Sequence, residues 1–289
     1  MNFLAETAPE YRVIIGDSRR MEEVQDRSVH LVVTSPPYPM VALWDDFFAE
    51  MEAHTYSQMH SYLDQVWVEV ERVLVQGGLA CVNIGDATRT KDGVFRLYPN
   101  HSRIIQAFEK LGMVTLPNIL WKKPTTKPQY KGKGAFLGSG FLPPNAYVTL
   151  DMEYILIFRK GGLRSFSPKD PRRYKSRFLK EERDKSFSQV WTVTGARQNA
   201  EGLERRVAAF PEEIPRRLVQ MFSLLGDLVL DPFLGSGTSL KAAMDLGRRF
   251  VGYEREEDLV PVIRRKLGAV SDQAQFHTQS KAAPMEVVG

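Results

Sequence analysis

At 289 residues, 43% apolar and 26% charged, the chain can bury one large core or two unequal ones and has the balance of a soluble globular protein. No run approaches membrane-span length, and the start MNFLAETAPEYR lacks a signal peptide's apolar core; the single cysteine excludes a disulfide framework, so a cytoplasmic protein is expected. The net charge of +4 is uneven: residues 159–185 hold eleven Lys and Arg against four acids and residues 121–134 five lysines and no acid, so the remainder is acidic. Two basic segments on an acidic body suit a polyanion, solvated surface runs being the plain alternative.

Apolar, β-rich runs recur at 11–16 (YRVIIG), 30–34 (HLVVT), 79–85 (LACVNIG), 114–121 (VTLPNILW), 153–159 (EYILIFR), 227–231 (DLVLD) and 249–254 (RFVGYE). Between them lie helical patterns. The clearest puts Met59, Leu63, Val66, Val70 and Val73 on one face, with Gly77-Gly78 as its expected end. Others cover 101–112, 212–226 and 237–247. This alternation implies an α/β fold with a mostly parallel sheet covered on both faces. The basic segments break the rhythm and read as insertions. The tail from about Ala269, polar and rich in small residues, is expected to fray. Cys81, inside an apolar run, reads as a small buried hydrophobe, and no metal cluster is expected.

Residues 31–40, LVVTSPPYPM, end a strand abruptly. Pro36 and Pro37 have no N–H, and each residue before a proline is held extended, so the backbone there offers acceptors and few donors. Ser35 adds a hydroxyl and Tyr38 a flat aromatic face. The stretch is either a stiff prolyl turn or a rigid rack of acceptors beside a stacking surface, suited to a planar group bearing an amine.

Residues 227–254 read DLVLDPFLGSGTSLKAAMDLGRRFVGYE: a strand ending at Asp231, a glycine turn, a helix from about Thr238, and a second strand ending in Glu254. Gly235 and Gly237 let a ligand approach backbone N–H groups at a helix start, and an acid at the next strand's tip can accept from ribose hydroxyls. The turn has neither the G-x-G-x-x-G spacing of a dinucleotide site nor the Gly-Lys-Ser/Thr of a phosphate loop.

Asp231-Pro232-Phe233-x-Gly235-x-Gly237 resembles the S-adenosylmethionine motif of the DNA amino-methyltransferases, and Thr34-Ser35-Pro36-Pro37-Tyr38 resembles their catalytic motif. The catalytic motif comes first, the order of the beta class of that family. Gly16-Asp17, WKK at 121–123, EYILIFRK at 153–160 and FPEEIPRRLV at 210–219 extend the likeness over nearly the whole chain.

The resemblance implies a single Rossmann-like methyltransferase domain with a mostly parallel seven-stranded sheet and an inserted basic target-recognition region. The expected divisions are a catalytic half (1–121), a basic insertion (122–150), a sheet strand (151–160), the target-recognition region (161–205), a cofactor half (206–268) and a tail (269–289). It implies S-adenosylmethionine held by Asp17, Thr34, Asp231, Pro232, Phe233, Gly235, Gly237, Thr238 and Glu254. Asp17 could equally be an ordinary loop aspartate; Asp86, at a strand's end, is either near the ligand or a helix cap.

Ser35, Pro36, Pro37 and Tyr38 would carry the chemistry: the Ser35 hydroxyl and Pro36 carbonyl take the hydrogens of an exocyclic amine, Tyr38 stacks on the flipped base, and transfer is direct. Double-stranded DNA is the implied partner, gripped by Lys122, Lys123, Arg172, Arg173, Lys175 and Arg177. Serine at the head of the motif is typical of N4-cytosine enzymes and aspartate of N6-adenine enzymes, so N4-cytosine is expected. N6-adenine, an RNA or protein amide substrate, and a non-catalytic nucleic-acid binder are the alternatives. Whether a cognate restriction endonuclease shares the site, and whether the chain is a monomer or homodimer, the resemblance leaves open.

Overall fold

All seven β-rich runs enter one sheet in the computed structural model, which describes residues 10–124, 148, 150–195 and 210–279. In chain order the strands are β1 (Tyr11–Ile15), β2 (Val29–Thr34), β3 (Leu74–Ile84), β4 (Ala87–Lys91), β5 (Val94–Tyr98), β6 (Val114–Lys122), β7 (Met152–Arg159), β8 (Val190–Thr192), β9 (Leu228–Asp231), β10 (Arg249–Glu254) and β11 (Ala274–Thr278). The helices are α1 (Asp45–Glu50), α2 (Tyr56–Val73), α3 (Asn100–Lys110), α4 (Pro171–Lys175), α5 (Lys180–Ser186), α6 (Glu213–Phe222), α7 (Thr238–Asp245) and α8 (Val260–Leu267). Among the described residues the sheet has nine strands in the order β11-β1-β10-β9-β2-β3-β7-β6-β8, with β4 and β5 paired apart as a hairpin. Within it only β7 runs against its neighbours, β3 and β6.

Side chains alternate between the sheet's faces, so adjacent residues of one strand serve different cores. Val32, Leu230, Val251 and Tyr253 pack with α2 and α3; Leu31, Val33, Val229 and Phe250 pack with α6, α7 and α8. Helix α2 opens on a capping box, in which Thr55 Oγ1 accepts from the Gln58 N–H at 3.3 Å and Gln58 Oε1 from the Thr55 N–H at 2.9 Å. Its expected face, Met59, Leu63, Val66, Val70 and Val73, is buried. Cys81 is fully buried in β3, and burial pushes its thiol pKa up.

Three expectations need correction. Helix α2 stops before the glycine pair: Leu74 is already extended, and Gly77 and Gly78 lie within β3. A Cβ on Gly77 would come within 2.5 Å of the Arg164 backbone nitrogen, so this glycine admits a neighbouring segment and does not end a helix. The sheet has nine strands where seven were expected, because β8 and β11 add to its two edges. The tail does not fray at Ala269: a 3-10 turn over Gly268–Gln273 leads into β11, in parallel register with β1 from Tyr11↔Ala274 to Ile15↔Thr278.

Most of the first basic segment, residues 125–147, lies outside the described residues. The second carries α4 and α5 and leads to β8. Among the described residues no helix is long and apolar enough to cross a membrane.

β1, β10, β9 and β2 lie side by side and parallel, so the residues following their carboxyl ends converge at one rim of the sheet.

Candidate active site

That rim opens into a cavity of about 750 Å³. Asp17 enters it from the end of β1, Ser35 and Pro37 from the end of β2, Asp231, Pro232, Phe233, Gly235 and Thr238 from the β9–α7 turn, and Glu254 from β10. The two motifs, far apart in sequence, therefore face the same space. Thr34, Pro36 and Gly237 are buried and not among the lining residues; Tyr38 is half-buried behind Ser35.

Thr34 and Asp231 join the motifs. Thr34 Oγ1 donates to Asp231 Oδ1 at 2.7 Å, a bond spanning 197 positions. The Phe233 N–H donates to the same oxygen at 3.0 Å and Ser239 Oγ to Oδ2 at 2.5 Å. Burial nevertheless pushes the Asp231 carboxyl pKa up to about 6. Thr34→Val keeps the shape and removes one donor from a buried carboxylate. It is expected to cost about 1–3 kcal/mol in denaturant unfolding; unchanged stability would show that this bond does not tie the motifs together.

The glycine turn is built by backbone sign. Gly235 has φ +55° and Gly237, the N-cap of α7, φ +82°; a Cβ on Gly237 would also meet Ile263 at 3.1 Å. Lys266 Nζ donates to Ser236 Oγ and Thr238 Oγ1, each at 2.6 Å, bracing the helix start. Glu254 closes the turn: Oε2 accepts from the Gly235 N–H at 2.7 Å and Oε1 from the Glu256 N–H at 2.8 Å. It is buried, which pushes its carboxyl pKa up to about 7.

The opposite wall was not anticipated. Leu43 and Trp44 come from a 3-10 turn over Ala42–Trp44, Phe47 from α1 and Tyr62 from α2. Phe47 meets Tyr62 edge-on at 5.5 Å, and the Arg19 guanidinium lies over Tyr62 at 4.8 Å. WDDFF is the one signal that could have marked this wall: two acids between aromatics just after the prolyl turn. The lining carries seven carboxylates against one arginine, Arg255, itself paired with Glu50 at 3.3 Å. Asp17 pairs with Arg19 at 2.6 Å and accepts that residue's N–H at 2.9 Å.

Behind Ser35 lies a network that the motif alone did not reveal. Tyr38 Oη donates to Glu153 Oε2 at 2.8 Å, and Asn83 Nδ2 donates to both of those oxygens, at 2.7 and 2.8 Å. Lys123 forms an ion pair with Glu153 Oε1. Ser35 Oγ lies 3.2 Å from Tyr38 Oη. A carboxylate only accepts and an ammonium only donates. With the Tyr38 proton committed to Glu153, Ser35 must donate to Tyr38, which leaves its lone pairs for the cavity.

Lys123, expected to grip DNA, is thus placed against Glu153. Lys122, Lys175 and Arg177 are exposed; Arg172 is exposed and paired with Asp170 at 3.0 Å, and Arg173 lies over Phe166 at 5.1 Å. None of these residues lines the cavity. Neither reading of Asp86 holds as made: it does not line the cavity, and strand β4, not a helix, follows it. Its carboxylate instead accepts the His101 N–H at 3.2 Å, in the first turn of α3, and sits 2.8 Å from that ring's Nδ1.

The profile of the DNA methylase family matches residues 29–265. Type II methyltransferase M.MjaI of Methanocaldococcus jannaschii is 58% identical over 281 residues, covering 89% of this chain and 91% of that protein. Type II methyltransferase M.MthZI of Methanothermobacter thermautotrophicus is 45% identical over 275 residues, covering 89% and 76%. Among solved structures, TTHA0409 of Thermus thermophilus, complexed with S-adenosyl-L-methionine, superposes with a TM-score of 0.70 at 32% identity over 93% of this chain and all of that one. The cytosine-N4-specific PvuII DNA methyltransferase shares the fold, with a TM-score of 0.62 at 17% identity over 93% of this chain and 96% of that one. The chain belongs to the DNA methylase family of N6 and N4 amino-methyltransferases.

Proposed function

We propose that this protein transfers a methyl group from S-adenosyl-L-methionine to the exocyclic N4 amine of cytosine in duplex DNA, as the modification member of a Type II restriction–modification pair. The observation that carries the reading is Ser35: a hydroxyl at the cavity wall, 3.2 Å from a Tyr38 Oη that itself donates to Glu153, which frees the serine oxygen to accept.

The cavity suits the cofactor. Its size is that of a small-molecule pocket. Its carboxylate-rich lining would repel a pyrophosphate and favours a cationic ligand. Glu254 and Asp17 can accept from the sugar and base, while Gly235, which lines the cavity, allows close approach. Trp44 and Phe47 offer apolar faces. When bound, S-adenosyl-L-methionine supplies a methyl group on a positively charged sulfur.

The chain's own contribution is positioning. An exocyclic amine is a poor nucleophile because its lone pair is delocalised into the base. Ser35 Oγ accepting one amine hydrogen and the Pro36 carbonyl another would localise that pair toward the cavity. The amine is inaccessible inside a duplex, so the base must leave the stack, with Tyr38 as its stacking surface. In this reading residues 161–205 form the target-recognition region, where Arg172, Arg173, Lys175 and Arg177, with Lys122 opposite Thr192 in the β6–β8 pairing, meet phosphates and groove edges. Serine in place of aspartate at the motif's head favours cytosine N4, as in the family members that the motif resembles.

Incubating the protein with cofactor and unmethylated genomic DNA, then digesting to nucleosides for mass spectrometry, should yield N4-methylcytosine. N6-methyladenine as the product would keep the mechanism and sink the base assignment.

A further inference from the structure

We propose that Glu153 is a positioning residue for methyl transfer, taking up through Tyr38 and Ser35 the proton that the amine must lose. The inference rests on the amino-methyltransferase reading above but holds for either base.

Direct transfer leaves a proton to be placed. The amine's lone pair forms the new N–C bond while the methyl–sulfur bond breaks and its electrons stay on sulfur. The nitrogen then carries a positive charge and one hydrogen too many. The hydrogen-bond directions around Ser35 already form an outlet for it. Ser35 Oγ can accept from the amine, its own proton points to Tyr38 Oη at 3.2 Å, and the Tyr38 proton points to Glu153 Oε2 at 2.8 Å. The N–H proton passes to Ser35 as Ser35's passes to Tyr38 and Tyr38's to Glu153. The base ends neutral, both hydroxyls are restored, and Glu153 is left as a carboxylic acid.

Glu153 is held for this role from three sides. Asn83 Nδ2 bonds Oε2, Lys123 pairs with Oε1, and β7 pairs antiparallel with β3, placing Tyr154 opposite Ile84 and bringing Glu153 next to Gly85. A Cβ on Gly85 would lie 3.1 Å from Tyr38 Cε2 and 3.3 Å from Glu153 Cγ, so that position admits little more than glycine while tyrosine and glutamate keep their contact. Lys123, 41% exposed at its side chain against 12% for Glu153, places the far end of the chain of bonds at solvent, where the proton can leave.

The test is a double-mutant cycle on the single-turnover rate of methyl transfer to duplex DNA, with DNA affinity measured alongside. Glu153→Gln keeps an acceptor oxygen for Tyr38 without a carboxylate's proton affinity; Tyr38→Phe keeps the ring and cuts the chain. Each should slow the chemical step by about 10²-fold, the low end of what a positioned base contributes, with DNA affinity within about twofold of wild type. The double variant should be no slower than either single one, since both cut the same path. Wild-type transfer should slow in D₂O, and transfer by the variants should not. A Glu153→Gln rate near wild type, losses that multiply in the double variant, or a wild type indifferent to D₂O would overturn the relay. Should Glu153→Gln not fold, Tyr38→Phe alone decides, a rate near wild type being the overturning result. The wild-type product tests the base assignment separately, because N6-methyladenine would leave the relay standing.

Discussion

Replacing Ser35 by alanine lowers the single-turnover rate of methyl transfer by about 10²- to 10³-fold, the usual cost of removing one preorganised group that acts on charge developing in the transition state. The loss falls on the chemical step because of what the substitution leaves intact. Tyr38 keeps its bonds to Glu153 and Asn83, so the aromatic face stays where it is. Thr34 keeps its bond to Asp231, so β2 and β9 stay joined. The glycine turn and Glu254 touch neither the Ser35 hydroxyl nor its partners, and cofactor affinity should remain within about twofold. The fold should be unharmed, since Ser35 is only partly buried and alanine retains its Cβ. The measurement is a rapid-quench single turnover with cofactor saturating, beside a direct titration of cofactor binding. Turnover at the wild-type rate would remove Ser35 from the mechanism; weakened cofactor binding with an unchanged rate would make it a cofactor residue.

The motifs were legible in the sequence because their chemistry is local. Prolines deny donors, glycines allow positive φ, and an acid at a strand's end faces its rim, whatever the rest of the chain does. The seven core strands were legible for a related reason: each is an apolar, β-rich run that needs burial, although β6 is covered only toward its end, at Ile119 and Trp121. The edge strands were not. AQFHT in β11 is half polar because little covers it, and only its parallel register with β1 makes it a strand. The glycine pair at Gly77-Gly78 misled because it has the signature of a helix end, whereas its requirement is the close passage of Arg164.

Glu153 was invisible for a different reason. An acid before an apolar strand is ordinary, and nothing near it in sequence hints at Tyr38, 115 positions away. The contact exists because β7 alone reverses direction and brings its first residues to the same rim as the ends of β2 and β3. The same reversal brings Lys123, beside the end of β6, onto Glu153. A lysine that composition assigns to a polyanion surface is thereby tied, through Glu153, to Tyr38 of the prolyl motif.

Glu254 gives the second large effect, and its sign follows from burial. Its pKa in the folded protein is pushed up to about 7, against 4.5 for a free glutamate. If the carboxylate accepts from the cofactor's ribose hydroxyls, binding below about pH 7 must first displace a proton. Cofactor affinity should be flat above about pH 8 and fall toward tenfold per unit as pH drops below about 7. Glu254→Gln should bind at least about tenfold more weakly at pH 8 and show no such dependence. The same raised pKa acts oppositely on stability. Between about 4.5 and 7 the folded state binds more protons at this group than the unfolded chain does, so this contribution to stability falls as pH rises through that window. Asp231, pushed up to about 6, adds in the same direction. At pH 8 the buried Glu254 carboxylate costs on the order of 3 kcal/mol relative to a freely solvated one, and Glu254→Gln should unfold at a higher temperature than wild type while binding cofactor less well. Near pH 4.5, where wild type is itself protonated, the two unfolding temperatures should converge. Calorimetric titration and thermal unfolding across this range read both effects on one pair of proteins. A variant that loses stability and affinity together at pH 8 would mean that Glu254 serves the fold by capping the glycine turn, and not the ligand.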